Sequence, residues 1–130
     1  MMDTSAILLV DDEPVAREAM VSLLLHAGYQ VFETYNGAHA LQLLDQHPEI
    51  THLLSDVYMA GMSGVELAQE AHKRRPDLQV ILTSGHQVEP RADYGFLQKP
   101  WRLNELRALI SAQSASSSFS GKGKDRERRR

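Results

Sequence analysis

The sequence predicts an α/β fold in which a five-stranded parallel sheet is covered by helices on both faces. Short apolar runs alternate along the chain with segments that repeat apolar residues at helical spacing. Acidic or polar residues follow directly after several of these runs, as expected where buried strands reach a sheet edge. The 130 residues, 42% of them hydrophobic, suffice for one domain with a core.

The first half of the chain predicts strand, helix, strand and helix in that order. Ala6–Val10 is an apolar run too short for a buried helix, so it predicts the first strand. Pro14 suits the first turn of a helix, and Gly28 suits its end. Residues 29–34 predict the second strand, and Asn36 can cap a short second helix that ends before Pro48.

The second half predicts three more strands. The third covers residues 52–55 and ends at Asp56, the fourth covers 79–83, and the fifth is Gly95–Gln98. Ser63 and Glu66 have the spacing of a capping box, which places the start of the third helix near Gly64. A last helix is expected from 101 or 102 to about 111. Pro90 would break any helix between strands four and five, so that helix is expected to be short or absent.

Five side chains are expected to meet at one edge of this sheet, because ligands of such folds bind beyond the carboxyl ends of the strands. Three of them are carboxylates, which suit a hard cation such as Mg²⁺ or Mn²⁺. Without a cation, two carboxylates about 4 Å apart repel by about 4 kcal/mol near a protein surface. The five follow strands one, three, four and five, and they are Asp11, Asp12, Asp56, Thr83 and Lys99.

Four fragments in this order, VDDEP, LLSDVYMAGMSG, VILTSG and FLQKP, resemble the receiver domain of two-component response regulators. The resemblance covers roughly residues 6–111. It implies a flavodoxin-like, doubly wound sheet with strand order 2-1-3-4-5. It also implies a phosphoprotein that takes a phosphoryl group from the phosphohistidine of a sensor histidine kinase or a histidine phosphotransfer protein.

The resemblance also implies a role for each site residue. Asp56 would be the nucleophile that becomes 4-aspartylphosphate, and Lys99 would contact a phosphoryl oxygen. A magnesium ion would be held directly by Asp12, Asp56 and the backbone carbonyl of Tyr58, with Asp11 acting partly through water. Such a protein catalyses its own phosphorylation and its autodephosphorylation, and is not a conventional enzyme.

A conformational switch is implied as well. The Thr83 hydroxyl would move toward the phosphoryl group while the Phe96 ring turns inward, shifting the population between two packings. The peptide bond between Lys99 and Pro100 would be cis and aim the lysine inward.

The chain departs from the receiver pattern at three places. Ala60 stands where receivers usually have proline, which predicts a slightly looser loop. Tyr58 is bulky and would shield the phosphoryl group from water, which predicts slow autodephosphorylation. The segment SGHQVEPRADY is short, which puts in doubt the surface that receivers use to dimerise or meet partners. The short segment and the motifs LTSGH and LQKPW most resemble those of receivers attached to hybrid histidine kinases.

Charge and composition predict the domain organisation. The net charge is −3, but residues 122–130 carry six Lys or Arg against two acids, which leaves +4 there and −7 in residues 1–121. We therefore expect a receiver domain over 1–112 and a flexible, Ser-rich, basic tail over 113–130. There are no cysteines and no long apolar run, so a cytoplasmic location without a membrane span is expected. No DNA-binding domain fits after the last helix, and a homodimer is possible.

Two other functions fit parts of the pattern. One is a receiver-like interaction module that no longer uses phosphate, which would not need all five site residues. The other is a phosphatase of the haloacid-dehalogenase type, which also has a strand-end Asp nucleophile with Mg²⁺. That family places a second Asp two residues after the first, where this chain has Tyr58.

Overall fold

A computed structural model describes residues 5–86 and 93–119, except for the side chains of 113–119. The chain divides into two compact units, residues 1–100 and 101–130, which are described separately. The first unit holds the whole sheet and three helices, and the second holds one helix. No helix in the described ranges is long and apolar enough to cross a membrane.

The sheet of the first unit has five parallel strands in the order β2-β1-β3-β4-β5, which confirms the predicted topology. Two strands have the predicted bounds, whereas β3 begins two residues before the predicted start. The strands are β1 (Ala6–Val10), β2 (Gln30–Thr34), β3 (Ile50–Asp56), β4 (Gln79–Ser84) and β5 (Gly95–Gln98). The reversal of strand order between β1 and β3 leaves their carboxyl ends side by side.

Three helices connect these strands: α1 (Pro14–His26), α2 (Gly37–Gln46) and α3 (Gly64–Arg74). The starts of α2 and α3 follow the capping residues read from the sequence. The Asn36 side chain accepts a hydrogen bond from the backbone N–H of His39. Ser63 and Glu66 form the predicted capping box, with bonds of 2.9 and 3.1 Å. Both caps satisfy backbone N–H groups that have no partner inside the helix.

The core of the first unit lies against the sheet. All five residues of β1 are buried, so both faces of this central strand are covered. One hydrophobic cluster joins alternate strand residues, such as Leu8 and Val10, to the buried faces of α2 and α3. α1 contacts β1 and β2 and buries Met20 and Leu24. The rigid sheet thus fixes where each strand ends.

In the second unit, α4 (Leu103–Phe119) begins close to the predicted start but ends eight residues beyond the predicted 111. The added stretch contains Ala, Gln and Ser but no Gly or Pro, so nothing in it breaks the helix. The division of the chain at residue 112 stays a prediction. The predicted short or missing helix between β4 and β5 falls mostly on residues 87–92, which lie outside the described ranges.

Candidate functional site

Three carboxylates meet at the carboxyl edge of the sheet. Asp11, Asp12 and Asp56 each offer an oxygen within 4.8 Å of the other two. The pairing of β1 with β3 explains this convergence, because Val10 lies opposite Ser55 and both strands then end. Asp11 is fully buried, Asp56 is mostly buried, and Asp12 is exposed. The predicted acidic cluster therefore forms.

Hydrogen bonds at its backbone N–H and at both carboxylate oxygens hold Asp11 in place. Its backbone N–H donates to the carbonyl of Thr34 on β2 at 3.2 Å. Its Oδ1 accepts from the backbone N–H of Glu13 at 2.9 Å, and its Oδ2 accepts from Lys99 Nζ at 2.9 Å. These bonds satisfy a buried carboxylate that would otherwise be costly to bury.

Lys99 reaches the cluster from the end of β5. Its Nζ lies 2.9 Å from Asp11 Oδ2 and 3.6 Å from Asp56 Oδ1. Its backbone N–H donates to the carbonyl of Ser84 at 2.8 Å, and the peptide bond to Pro100 is cis, as the resemblance implied. Burial disfavours the charged ammonium, but the hydrogen bond to Asp11 and the two carboxylate charges outweigh it and raise the pKa of Lys99.

The Asp56 carboxyl has a raised pKa. Burial is the main cause, because it disfavours the charged form, and the negative charges of Asp11 and Asp12 add to it. Lys99 acts in the opposite direction and offsets only part of the shift. A carboxylate in this position gains from any further cation.

A close approach of two backbones holds Asp56 in place. A Cβ atom added to Gly64 would lie 2.1 Å from the carbonyl oxygen of Asp56 and 3.0 Å from Cα of Val57. The Gly64 N–H also donates to the carbonyl of Val57 at 2.9 Å. The start of α3 therefore rests directly on the end of β3, and only glycine fits at this contact.

The loop after Asp56 also contacts the cluster. The backbone N–H of Ala60 donates to Asp12 Oδ2 at 3.0 Å. Tyr58 has 58% of its surface exposed, and its ring meets the His86 ring edge-on with centroids 5.7 Å apart. Metal binding by the Tyr58 carbonyl stays a prediction.

Thr83 and Phe96, the two residues predicted to form a switch, lie on β4 and β5. Thr83 pairs with Asp56 across the sheet, and its carbonyl accepts from the N–H of Val57 at 2.9 Å. Its hydroxyl is buried and has no hydrogen-bond partner within residues 5–86 and 93–112. Phe96 is half-buried and packs against the hydrophobic cluster.

Sequence reasoning missed two groups that contact the site. One is the Ala60 amide, since a backbone donor leaves no signal in the residue type. The other is Arg17, whose Nη1 donates to the backbone carbonyl of Asp11 at 2.8 Å. A cation near the N-terminal end of a helix interacts unfavourably with the helix dipole. The position of Arg17 in α1 was therefore a signal in the sequence that its side chain makes a specific contact.

The donor set fits a divalent cation of the magnesium type. Three carboxylates within 4.8 Å supply hard oxygen ligands, and one of them is exposed, so an ion can enter. The residues that could hold the ion are Asp11, Asp12 and Asp56. A cation would also offset the mutual repulsion of their charges.

The comparisons with known sequences agree with this geometry. Residues 7–111 match the family model of the response regulator receiver domain. The sensor kinase CckA of Brucella abortus is 33% identical over 115 residues, which cover 82% of this chain and 12% of CckA. The response regulator receiver protein CpdR of Brucella abortus is 36% identical over 108 residues, 77% of this chain and 88% of CpdR. The chain thus spans a small part of one relative and most of the other.

Solved structures give the same result. The receiver domain of the hybrid histidine kinase CckA has 31% identity and a TM-score of 0.73, covering 84% of this chain and 98% of that one. The response regulator TrrA of Thermotoga maritima, in complex with Mg²⁺-BeF, has 28% identity and a TM-score of 0.74, covering 85% and 99%. TrrA in complex with the histidine kinase ThkA has 27% identity and the same TM-score, covering 85% and 98%. With its sheet order and its carboxylate cluster, this chain belongs to the family of response regulator receiver domains, the phosphoacceptor domains of two-component systems.

Proposed function

We propose that Asp56 is the residue that accepts the phosphoryl group and becomes 4-aspartylphosphate. The observation that carries this assignment is the convergence of three carboxylates within 4.8 Å with Lys99 Nζ, which lies 2.9 Å from Asp11 and 3.6 Å from Asp56. Asp11 is fully buried with both carboxylate oxygens bonded, to Glu13 and Lys99, and Asp12 is exposed. Asp56 instead ends β3 partly buried, with Lys99 Nζ 3.6 Å from its Oδ1.

The donor is the phosphohistidine of a sensor histidine kinase or of a histidine phosphotransfer protein. A carboxylate oxygen of Asp56 attacks the phosphorus, the P–N bond breaks as the P–O bond forms, and the electron pair returns to the imidazole nitrogen. Lys99 neutralises charge on the phosphoryl oxygens, and its raised pKa keeps it protonated at neutral pH. Water later cleaves the acyl phosphate, so the domain also catalyses its own dephosphorylation.

Asp11, Asp12, Asp56 and the carbonyl of Tyr58 hold Mg²⁺ or Mn²⁺ in this proposal. The ion supplies positive charge for the phosphoryl oxygens during transfer. Support comes from the carboxylate donor set and from the Mg²⁺-BeF complex of TrrA.

The output is a switch at Thr83 and Phe96. The buried Thr83 hydroxyl has no partner within residues 5–86 and 93–112, so a phosphoryl oxygen on Asp56 would be its first good acceptor. Phe96 pairs across the sheet with Leu82, the residue before Thr83, so in this proposal a movement of Thr83 reaches Phe96 through the backbone of β4. Phosphorylation then shifts the population between two packings of this edge.

The wider setting is also part of the proposal. The domain meets its phosphodonor in the cytoplasm, either as a free-standing receiver like CpdR or as the receiver of a hybrid kinase like CckA, and a homodimer is one possible output state. Similarity to both kinds of relative supports the phosphodonor class and leaves both arrangements open.

The test is to add beryllofluoride with Mg²⁺ and follow adduct formation by ¹⁹F NMR. The wild type should form an adduct that needs Mg²⁺, and Asp56→Asn should form none. Asp77→Asn, which changes an exposed carboxylate on the loop after α3, is the matched control and should behave like the wild type. A folded wild type that forms no adduct would instead favour the phosphate-independent interaction module.

A further inference from the structure

Arg17 forms a second layer behind the acidic cluster. Its Nη1 donates to the backbone carbonyl of Asp11 at 2.8 Å. That carbonyl belongs to the peptide unit that joins Asp11 to Asp12, the two acidic residues at the end of β1. Arg17 therefore contacts the backbone between two proposed metal ligands without touching either carboxylate in the described contacts.

The guanidinium is itself held by Glu33 on β2 and by Tyr35, the residue directly after that strand. Its Nε lies 3.3 Å from Glu33 Oε1, and its Cζ lies 6.0 Å from the centre of the Tyr35 ring. The side chain is only 20% exposed, although Arg17 belongs to an otherwise open part of α1. A planar guanidinium can make both polar contacts in fixed directions, which a lysine ammonium cannot.

The hydrogen bond from Arg17 holds the carbonyl of a residue whose other polar groups are already bonded. The Asp11 N–H, Oδ1 and Oδ2 are bonded to Thr34, Glu13 and Lys99, and Arg17 binds the carbonyl that remains. The chain leaves this fixed residue directly into the exposed Asp12. The direction in which the Asp12 carboxylate points therefore depends on the orientation of the peptide that Arg17 holds.

We propose that Arg17 is a positioning residue for the divalent-cation site, acting through the Asp11–Asp12 peptide. The inference rests on the proposed function, since it assumes that the cluster binds Mg²⁺. Residues behind metal ligands commonly set the affinity by orienting those ligands.

The charge of Arg17 and its positioning role predict opposite changes in Mg²⁺ affinity when Arg17 is replaced, which makes the inference testable. A cation near the cluster repels Mg²⁺, so removing only its charge would tighten Mg²⁺ binding. Losing the fixed peptide orientation would weaken it. We expect Arg17→Met to bind Mg²⁺ about tenfold more weakly than the wild type, the lower end of the range for such outer residues. Arg17→Lys, which keeps the charge, should also bind more weakly.

The experiment is calorimetric titration of each folded protein with MgCl₂, together with the amide ¹H and ¹⁵N shifts of Asp12 in the metal-free state. Arg74→Met is the matched control, because it also removes one paired arginine, here from an ion pair with Asp45 on the surface. It should leave the Mg²⁺ affinity and the Asp12 shifts unchanged, whereas both Arg17 variants should change them.

Wild-type or tighter affinity in Arg17→Met would overturn the positioning role, and so would unchanged Asp12 shifts. If Arg17→Met fails to fold, Arg17→Lys decides the question alone. The failure of the proposed function has a different signature: the wild type itself would bind neither Mg²⁺ nor beryllofluoride. If the wild type binds Mg²⁺ and the Arg17 variants bind it equally well, only the inference about Arg17 is refuted.

Discussion

The backbone N–H of Ala60 donates a 3.0 Å hydrogen bond to Oδ2 of Asp12, across 48 residues of sequence. The bond joins the loop that follows Asp56 to the turn that carries Asp11 and Asp12. Proline, the usual residue here according to the sequence resemblance, has no N–H and could not make it. We expected only a looser loop from Ala60, but the structure adds a contact to a proposed metal ligand.

A double-mutant cycle can measure this bond. Ala60→Pro removes the donor and Asp12→Ala removes the acceptor, and the cycle cancels the separate effects of proline and of the lost charge. Because the acceptor is a carboxylate, we expect a coupling free energy of about 1.5 kcal/mol in urea unfolding without metal. Ala60→Ser, which keeps the N–H, should retain the coupling. A coupling near zero would mean that the bond does not stabilise the protein.

Gly64→Ala should destabilise the protein by about 3 kcal/mol, the upper part of the range for overpacking. Its Cβ would lie 2.1 Å from the Asp56 carbonyl oxygen, and both partners are backbone. Urea unfolding measures the loss. Gly85→Ala is the control, because apart from its two chain neighbours no atom of the described residues lies within 4 Å of its added Cβ. Equal stabilities of the two variants would contradict the close approach.

The raised pKa of Asp56 predicts a stability gain from Asp56→Asn in the metal-free protein at pH 7. As the pH rises above the ordinary value of 3.8, the unfolded chain ionises first, so ionisation of Asp56 costs stability. The stability that the neutral carboxyl provides is complete below about that pH and is lost as the pH rises through the folded pKa. Urea unfolding at pH 7 and pH 3 measures the difference between the two proteins.

The advantage of Asp56→Asn should be larger at pH 7 than at pH 3. Mg²⁺ should reverse it at pH 7, because the ion stabilises the wild type and not the variant. An Asp56→Asn protein that is less stable than the metal-free wild type at pH 7 would show that Lys99 outweighs burial.

Thr83→Val should leave the unfolding free energy unchanged or raise it by about 1 kcal/mol, because it replaces a buried hydroxyl that lacks a described partner. It should also abolish the change in the NMR signals of Phe96 on addition of beryllofluoride, since the hydroxyl is the proposed link. Thr83→Ser, which keeps the hydroxyl, should preserve that response. A clear loss of stability in Thr83→Val would indicate that the hydroxyl is already bonded.

Tyr58→Asn should lose phosphate faster than the wild type, because it removes the bulky ring that lies two residues after the proposed acceptor and is proposed to shield it from water. The edge-on contact with His86 holds that ring, and such pairs contribute about 0.5–1.5 kcal/mol. His86→Ala should therefore act in the same direction, and Tyr58→Phe should resemble the wild type. The measurement is the decay of ³²P-labelled protein. Unchanged or slower decay in Tyr58→Asn would refute the shielding role.

Much of the architecture could be predicted from local signals. Ala6–Val10 and Gly95–Gln98 are strands at the predicted residues, and the caps at Asn36 and Ser63 start their helices as expected. These features depend on periodicity and on side chains that bond to nearby backbone, so a short window of sequence contains them. The end of α4 was predicted wrongly, because a tract of Ala, Gln and Ser carries no strong stop signal.

The sequence by itself determined the set of residues at the sheet edge, because patterned strands of a parallel sheet must end there. The strand order followed from the resemblance of its motifs to receiver domains. Only the tertiary structure decided which of these residues are buried and which groups each of them contacts. It buried Asp11 against Lys99, left Asp12 exposed on the Ala60 amide, and brought Arg17 behind both. These contacts join residues far apart in the chain, and they depend on backbone atoms and on burial. Neither can be recognised from the residue types alone.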